Sequence, residues 1–318
     1  MTKKNIYDFG DIDPIEADEA STRERRLKQY SLKALELAAR VEQIYVMFPA
    51  FASCLAACDR AFQLSRTLNT PQGILITGEP GTSKTTLAKY FSQSLPQSEL
   101  FAKGLGALMI RMRSTPSPLQ FISTLLQTLR YPIVSVRRNN MHTMRDLAFE
   151  SLRQRGTRLL FIDQAHNLSH RAGHRSTLIE TNMSDLLTEL MDQTGVSLCL
   201  LADSRFEGLE SIDRALADRV TIRETMSHFS NDELWQAFLT AFGRQSKALD
   251  MSCLMRREIQ DQTHLATSGN RRKFRRLIVE ASLLCADEDK LSIDAGHLKR
   301  AFERVSGTGT GAPNPYGE

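Results

Sequence analysis

The sequence has no apolar run approaching the ~18 residues that a helix needs to cross a bilayer, so we expect no membrane span. Its first five residues are followed by acidic side chains rather than by an apolar segment, which predicts that there is no signal peptide. Cysteine is scarce, and the five cysteines lack the spacing of metal-ligand pairs, so buried hydrophobic roles are favoured. These features predict a reduced, cytoplasmic protein with no membrane partner.

A large excess of charge of one sign is also missing, because the net charge is only +4. The charges are nevertheless unevenly distributed. Residues 1–20 carry two lysines and six carboxylates. Residues 137–175 carry eight arginines and three carboxylates, and residues 256–276 carry seven cationic side chains and two carboxylates. This segregation is compatible with a surface for a polyanion and with an acidic arm, although solvated helix faces would give the same pattern.

Short apolar runs alternate with helical periodicity in the first two thirds of the chain, which is typical of a parallel sheet with helices on both faces. The predicted strands comprise residues 73–77, 107–112, 158–163, 196–202 and 219–223. After residue 229 the strand pattern stops, and amphipathic helices are predicted up to residue 305. The fold class is therefore predicted to be α/β, with a small helical lid at the C-terminal end.

The same patterns divide the chain into four predicted segments. These are a flexible acidic arm at 1–21, an α/β nucleotide-binding domain with N-terminal helices at 22–228, a helical lid at 229–305 and a flexible tail at 306–318.

A glycine-rich sequence joins the first predicted strand to a predicted helix. It comprises Gly78, Glu79, Pro80, Gly81, Thr82, Ser83, Lys84 and Thr85, and Thr86 follows in the helix. It fits G-x-x-x-x-G-K-[ST], except that Ser83 replaces the glycine before the lysine. In such a loop the backbone N–H groups hold phosphates, Lys84 reaches the β- and γ-phosphates, and Thr85 ligates Mg²⁺. The sequence therefore predicts a site for ATP and Mg²⁺.

A second apolar run ends in Asp163, which is 79 residues after Lys84. A carboxylate at the end of a buried strand can hold Mg²⁺ through water in a P-loop site. Gln164 follows, where ATPases of this type usually carry glutamate to polarise the attacking water. Since a carboxamide cannot accept a proton, general-base help worth on the order of 10²–10⁴ in rate would be lost. We therefore expect ATP binding with slow or absent hydrolysis.

Three further positions are candidates for sensing the nucleotide. Asp203 or Ser204 ends a strand that should lie beside the strand of Asp163, although either residue can be a plain strand terminus. Arg219, near the end of a predicted helix, could reach the ATP of a neighbouring subunit as an arginine finger, the alternative being a local salt bridge. Arg272 opens a helix of the predicted lid and suits a second sensor.

Taken together, these motifs resemble AAA+ ATPases, and more closely the TniB/TnsC group of transposition regulators, with MuB and ExeA-type proteins as relatives. The resemblance extends over residues 44–305 and includes residues 44–51, 117–129, 214–219 and 293–302. It implies an AAA+ P-loop domain with a helical lid that assembles as a homo-oligomeric ring or filament on double-stranded DNA. It also implies partners, namely a TniQ- or TnsD-like target selector and a TnsB- or TniA-like transposase.

Candidates for the DNA surface come from the charge pattern, because contacts to the phosphate backbone need Lys or Arg in a row. The first candidate is the loop with Arg137, Arg138 and Asn139. The second combines Arg111 and Arg113 at a strand end with Lys103, and the third is the basic sequence at residues 170–175. Taken alone, each is better explained as a solvated loop.

Other readings of the same motifs remain open. An AAA+ ATPase of another system, such as an ExeA-like secretion ATPase or a helicase loader in replication initiation, would share the nucleotide site. A catalytically silent, nucleotide-gated scaffold is a third possibility, and Gln164 favours it.

Overall fold

The computed structural model describes residues 30–65, 71–131, 135–169, 183–206, 208–306 and 313–317. By its internal contacts the chain divides into two compact units. We call Met47–Ser230 together with Ser268–Arg272 the sheet unit. The helical unit comprises the described residues up to Val46, Asn231–Thr267 and those from Lys273 onward.

The sheet unit is built on a five-stranded sheet with the order β2-β3-β4-β1-β5. The strands are β1 (Gly73–Gly78), β2 (Ala107–Arg111), β3 (Leu159–Asp163), β4 (Ser197–Leu201) and β5 (Ile222–Met226). All four neighbouring pairs are parallel. The predicted parallel α/β architecture is therefore confirmed, as is the prediction that β4 lies beside β3.

The apolar strand sequences follow from burial on both sides of the sheet. Every residue of β4 is buried, as are the first four residues of β3, and strands covered on both faces form continuous hydrophobic runs. Phe91 packs on Phe161 with ring centroids 5.6 Å apart. The sheet thereby holds the last residue of β3 and the end of β1 in fixed register.

The helices of the sheet unit connect and cover these strands. They are α2 (Pro49–Leu64), α3 (Lys84–Ser94), α4 (Pro118–Thr128), α5 (Met141–Gln154), α6 (Met183–Thr194) and α7 (Arg214–Arg219), with 3₁₀ turns at Arg138–Asn140 and Ala165–Ser169. Helix α1 (Leu32–Glu42), capped by Ser31, belongs to the helical unit.

The helical unit has a core of its own around Trp235, which is fully buried. Its helices are α8 (Glu233–Gln245), α9 (Arg257–Thr267), α10 (Arg271–Asp287) and α11 (Ala295–Ser306), with a 3₁₀ turn at Ser252–Met255. The Trp235 indole N–H donates to the carbonyl of Gln260 over 3.1 Å, and the ring of Phe274 meets the indole edge-on. The first two residues of α10 belong to the sheet unit.

The prediction for the fifth strand was wrong by about three residues. Asp213 caps helix α7 by accepting a hydrogen bond from the Leu216 amide over 2.8 Å, and the helix continues to Arg219. The strand therefore begins only at Ile222. It is an edge strand whose exposed and half-buried residues alternate, so its apolar signal is weak.

The predicted domain boundaries remain a prediction, and the division by contacts differs from them at helix α1 and at Ser268–Arg272. Helix α1 lies in the helical unit, where Ala34 and Ala38 pack with Leu283 and Ala286. The sequence-based boundaries put this segment with the α/β domain. The predicted arm at 1–21, and the basic sequence at 170–175, lie outside the described residues, as do residues 307–312 and 318 of the predicted tail.

The five cysteines are free and buried, as predicted. Burial raises the pKa of the Cys54 thiol to about 12, which favours the uncharged form. Within the described ranges, no helix combines the length and the apolar character that crossing a membrane requires.

Candidate functional site

The loop between β1 and α3 needs glycine at two positions. Gly78 and Gly81 have φ angles of 158° and 90°. A Cβ atom would lie 2.1 Å from the carbonyl oxygen of Met226 at Gly78, and 2.2 Å from the Asn270 side-chain oxygen at Gly81. These close contacts leave no room for a side chain at either position.

Ser83 occupies a position of the loop that favours glycine. Its φ and ψ are 71° and 17°, in the left-handed region, which costs a non-glycine residue about 1–3 kcal/mol. It is the N-cap of α3, but its side chain makes no capping hydrogen bond. Its hydroxyl instead accepts a hydrogen bond from Nε of Arg271 over 3.2 Å.

The Lys84 ammonium lies within the curve of the loop. It donates to the carbonyl oxygens of Gly78 (2.5 Å) and Glu79 (3.0 Å) and to the Thr82 hydroxyl (3.3 Å). Burial lowers the pKa of Lys84 to about 8, while the Asp203 and Asp163 carboxylates act in the opposite direction. The side chain is therefore mainly protonated at neutral pH and can meet phosphate oxygens.

The predicted metal ligands lie together. The Thr85 hydroxyl donates to Oδ2 of Asp163 over 3.1 Å, and the other oxygen, Oδ1, accepts from the Gln164 amide over 3.0 Å. A hydroxyl and a carboxylate at this separation fit Mg²⁺, which takes oxygen ligands and keeps several waters. Gln164 has φ 61°, and its half-buried carboxamide follows the carboxylate directly. The residue next to Asp163 is thus a neutral one that can orient water.

The end of β4 is organised around Asp203. Its carboxylate accepts hydrogen bonds from the Arg205 amide (3.0 Å) and the Ser204 hydroxyl (3.3 Å). The hydrogen bond from the Arg205 amide is the largest factor that lowers the pKa of Asp203. Its own amide donates to Nδ1 of His166 over 3.3 Å. His166, which was not predicted as a site residue, therefore links the turn after β3 to the end of β4.

The segment Ser268–Arg272 runs along the glycine-rich loop within the sheet unit. Arg271 is 6% exposed, whereas the predicted sensor Arg272 has an exposed side chain and contacts the loop through its backbone amide, 3.3 Å from the Gly81 carbonyl. Arg271 was not predicted, because two adjacent arginines at a helix start look alike in sequence. A sensing role for Arg272 remains a prediction.

The tip of the loop is held by an imidazole. His228 lies between the Glu79 carboxylate (Nδ1 to Oε2, 3.0 Å) and the Pro80 carbonyl (Nε2 to O, 3.1 Å). The Thr82 hydroxyl donates to the Glu79 carbonyl over 2.8 Å, and Thr86 is half-buried in the first turn of α3. His228 carried no sequence signal, since it follows an edge strand far along the chain.

The candidate arginine finger makes a local ion pair. Arg219 donates to both carboxylate oxygens of Asp192 over 2.8 Å and to the Ala215 carbonyl over 2.8 Å. The hydrogen bonds to Asp192 raise the pKa of Arg219 further. The structure thus contains the local salt bridge that was the alternative interpretation of Arg219. The role of Arg219 as an arginine finger remains a prediction for the assembled protein.

The predicted DNA-binding residues do not form one group. Arg111 ends β2, and Arg113 lies two residues beyond it, with both side chains exposed. Lys103 precedes β2 and therefore lies at the opposite end of a strand about 16 Å long. Arg137, Arg138 and Asn139 are exposed and lie at the start of α5.

Comparisons with known proteins concern the domain family and the fold. A family model described as an AAA domain matches residues 67–210. No curated protein sequence matches the chain significantly.

Three solved structures share the fold at low identity. The ORC1 protein of Aeropyrum pernix in complex with DNA is 16% identical with a TM-score of 0.57, over 82% of this chain and 66% of that one, just under two thirds. The ORC2 protein of the same organism, in ADPNP-ADP complexes, is 14% identical with a TM-score of 0.58, over 83% and 71%. The Drosophila ORC bound to DNA is 16% identical with a TM-score of 0.51, over 94% and 70%. The chain therefore contains an AAA-family P-loop ATPase domain with the AAA+ fold.

Proposed function

We propose that this protein is an ATP-dependent regulator of DNA transposition. In this proposal it assembles on double-stranded DNA as a homo-oligomer and links a TniQ- or TnsD-like target selector to a TnsB- or TniA-like transposase. The TniB/TnsC resemblance of the sequence supports the assignment. The nucleotide is ATP with Mg²⁺, held by the P-loop, Thr85 and Asp163.

The observation that carries the proposal is the neutral Gln164 beside a complete phosphate and metal site. Thr85 and Asp163 are 3.1 Å apart and Lys84 lies in the loop, so nucleotide and metal can bind. No base follows the metal-binding carboxylate, so hydrolysis is slow. A protein that binds ATP and turns it over slowly suits a switch in which ATP builds an assembly and hydrolysis dismantles it.

The DNA surface is proposed at the carboxyl end of the sheet. Arg111 and Arg113 flank Met112, which is 3% exposed and whose amide donates to the Asp163 carbonyl over 2.8 Å. The exposed guanidinium groups of Arg111 and Arg113 therefore flank a residue whose backbone is hydrogen-bonded to the metal-binding Asp163.

The arginines before α5 extend this surface. Helix α5 leads into the amino end of β3, and its 14 residues span about 21 Å, so its start with Arg137 and Arg138 lies toward the carboxyl end of the sheet. Lys103 lies at the other end of β2. The charges that can follow one DNA backbone are thus those of Arg111, Arg113, Arg137 and Arg138.

A second candidate function is replication initiation, which the likeness to the ORC structures favours. Two of those proteins are described in complex with DNA. The likeness is in fold, at 14–16% identity, so it supports ATP-dependent DNA engagement without distinguishing the two processes. An initiator would prefer an origin sequence, whereas a transposition regulator of this kind would bind mixed-sequence duplexes and stimulate a transposase.

Negative-stain imaging with MgATP, with and without a mixed-sequence duplex of about 60 base pairs, tests the proposal. We expect rings or filaments that depend on both ATP and DNA. The double variant Arg111→Ala/Arg113→Ala should lose DNA affinity and flatten its salt dependence by about two units of slope, one for each phosphate contact removed. Lys103→Ala, which removes one charge at the other end of the strand, is the control.

Particular outcomes would contradict the proposal. A monomer indifferent to DNA would exclude assembly on duplexes. An equal loss of affinity in Lys103→Ala and the double variant would move the DNA surface elsewhere. Strong preference for one sequence, without stimulation of a transposase, would favour initiation instead.

A further inference from the structure

Consecutive carbonyl groups on the outer side of the P-loop are held by the segment Ser268–Arg272. The donors are the Asn270 side chain to Pro80 (3.1 Å), the Arg272 amide to Gly81 (3.3 Å) and the Arg271 guanidinium to Thr82. A trans peptide unit is planar, so its N–H points away from its carbonyl oxygen. Holding the Thr82 carbonyl on the outer side therefore aims the Ser83 N–H toward the inside of the loop, where phosphates bind.

Arg271 is the rigid member of this segment. Its guanidinium lies 4.3 Å from the ring centroid of Phe48 and 5.0 Å from that of Phe229. The side chain is 6% exposed, and burial lowers its pKa to about 10, so it remains charged at neutral pH. A buried, charged, planar group packed against two aromatic rings has little freedom to move, so its hydrogen bonds fix the position of the groups that accept them.

Ser83 is the acceptor that sets this protein apart from the usual P-loop pattern. It has the left-handed backbone that glycine adopts without strain, and its hydroxyl accepts from Nε of Arg271 over 3.2 Å. The same guanidinium thus holds the carbonyl before Ser83 and the side chain of Ser83 itself. The serine hydroxyl supplies a contact that a glycine could not make.

We propose that Arg271 is a positioning residue for nucleotide binding, which fixes the Thr82–Ser83 peptide in its phosphate-binding orientation and thereby makes serine workable at position 83. The proposal rests on ATP binding at the P-loop, the first step of the proposed function. Arg271 acts through the loop, and it does so in addition to any sensor role of the exposed Arg272.

A series at position 83 tests the pair by MgATP affinity, measured with a fluorescent ATP analogue and by calorimetry. Ser83→Ala keeps the strained left-handed backbone and loses the hydrogen bond from Arg271 that stabilises it, so affinity should fall about tenfold. Ser83→Gly loses the same hydrogen bond but also removes the backbone strain that the bond offsets, so its affinity should stay within about twofold of the wild type. The predicted order is therefore glycine and serine together, with alanine well below them.

A double-mutant cycle then measures the coupling. Arg271→Met should weaken MgATP binding about tenfold with Ser83 present, because the loop loses both contacts. The same change in the Ser83→Gly background should cost at least about threefold less, since glycine adopts the conformation unaided. Arg276→Met, which removes an exposed arginine five residues along the same helix, is the control and should leave ATP affinity unchanged.

The outcomes separate this inference from the proposed function. Equal affinities for Ser83→Ala and Ser83→Gly, or an equal cost of Arg271→Met in both backgrounds, would overturn the positioning role while ATP binding stands. Failure of the wild type to bind MgATP would overturn both. If Arg271→Met does not fold by circular dichroism, the Ser83 series alone still decides.

Discussion

The Thr85 hydroxyl and the Asp163 carboxylate are 3.1 Å apart, although they follow strands that are not neighbours in the sheet. Strand β4 lies between β1 and β3, and it is fully buried. The P-loop helix therefore reaches across the end of β4 to meet the end of β3. This contact brings a hydroxyl and a carboxylate, separated by 78 residues, to one metal position.

Removing the Thr85 hydroxyl should uncouple ATP binding from Mg²⁺. Thr85→Ala should lower the affinity for MgATP by roughly ten- to hundredfold and leave the affinity for ATP in EDTA nearly unchanged, because only the metal loses a ligand. Titrations of a fluorescent ATP analogue with and without Mg²⁺ measure both values. Ser92→Ala is the control, since that hydroxyl donates within the same helix to Ala88 over 2.9 Å. A Thr85→Ala protein that keeps the wild-type Mg²⁺ dependence would exclude this metal position.

Gln164→Glu should turn the slow site into a faster ATPase. A carboxylate can accept the proton of the attacking water, and the expected gain in turnover is on the order of 10²–10⁴. Steady-state phosphate release measures it. Gln154→Glu, which adds the same charge on the exposed end of α5, should leave turnover unchanged. An unaltered rate in Gln164→Glu would mean that residue 164 does not face the γ-phosphate.

The sequence was sufficient for the parts of this site that one local motif determines. The P-loop and Asp163 were predictable, because phosphate and metal binding need particular residues at the junctions of strands. Arg271 and His228 were not, because their contacts with Ser83 and Glu79 form only when the chain returns to the loop about 150–190 residues later. Local sequence periodicity contains no information about contacts between segments so far apart in the chain.

Burial also explains which strands of the sheet could be predicted from the sequence. The central strands β3 and β4 were predictable, since burial on both faces makes them apolar throughout. The edge strand β5 was misplaced, because its half-exposed residues Arg223, Glu224 and Thr225 carry no apolar run. The cap of Asp213 on α7 is a local contact between residues three apart, and with it the helix continues to Arg219, so the strand starts later than predicted.

The pKa of Lys84 predicts opposite pH dependences for ATP affinity and for stability. Phosphate binding needs the ammonium, so affinity should be constant below about pH 8 and should fall by up to about tenfold at pH 9. The folded-state pKa is below the ordinary lysine value of 10.5, so the unfolded state binds more protons between about pH 8 and 10.5. The contribution of Lys84 to folding stability therefore rises with pH in that window.

Affinity titrations and chemical denaturation between pH 7 and 10 measure the two trends. Lys84→Arg is the matched variant, because arginine stays charged throughout and should abolish the additional loss of affinity above pH 8. A wild-type affinity that stays flat to pH 9.5 would contradict the shift.

The role of Arg219 can be determined by comparing the effect of removing it with the effect of removing its ion-pair partner Asp192. The ion pair with Asp192 is partly exposed, with side chains 33% and 48% accessible, so breaking it from either side should cost at most about 1 kcal/mol of stability. If Arg219 also acts as a finger toward the ATP of a neighbouring subunit, its removal should reduce ATP turnover, whereas removal of Asp192 should not. We expect this loss of turnover.

The experiment is best done in the Gln164→Glu background, where turnover is measurable, and at concentrations at which the oligomer forms on DNA. Arg219→Ala should reduce turnover by about 10³ or more, because a positive charge is withdrawn from the transition state. Asp192→Ala removes the same ion pair but leaves the guanidinium in place, so its turnover should match the parent. Mixing Arg219→Ala subunits with Lys84→Ala subunits should restore part of the activity, since an intact P-loop would then face an intact Arg219 at some interfaces. Equal rates for Arg219→Ala and Asp192→Ala would instead assign Arg219 to the local ion pair alone.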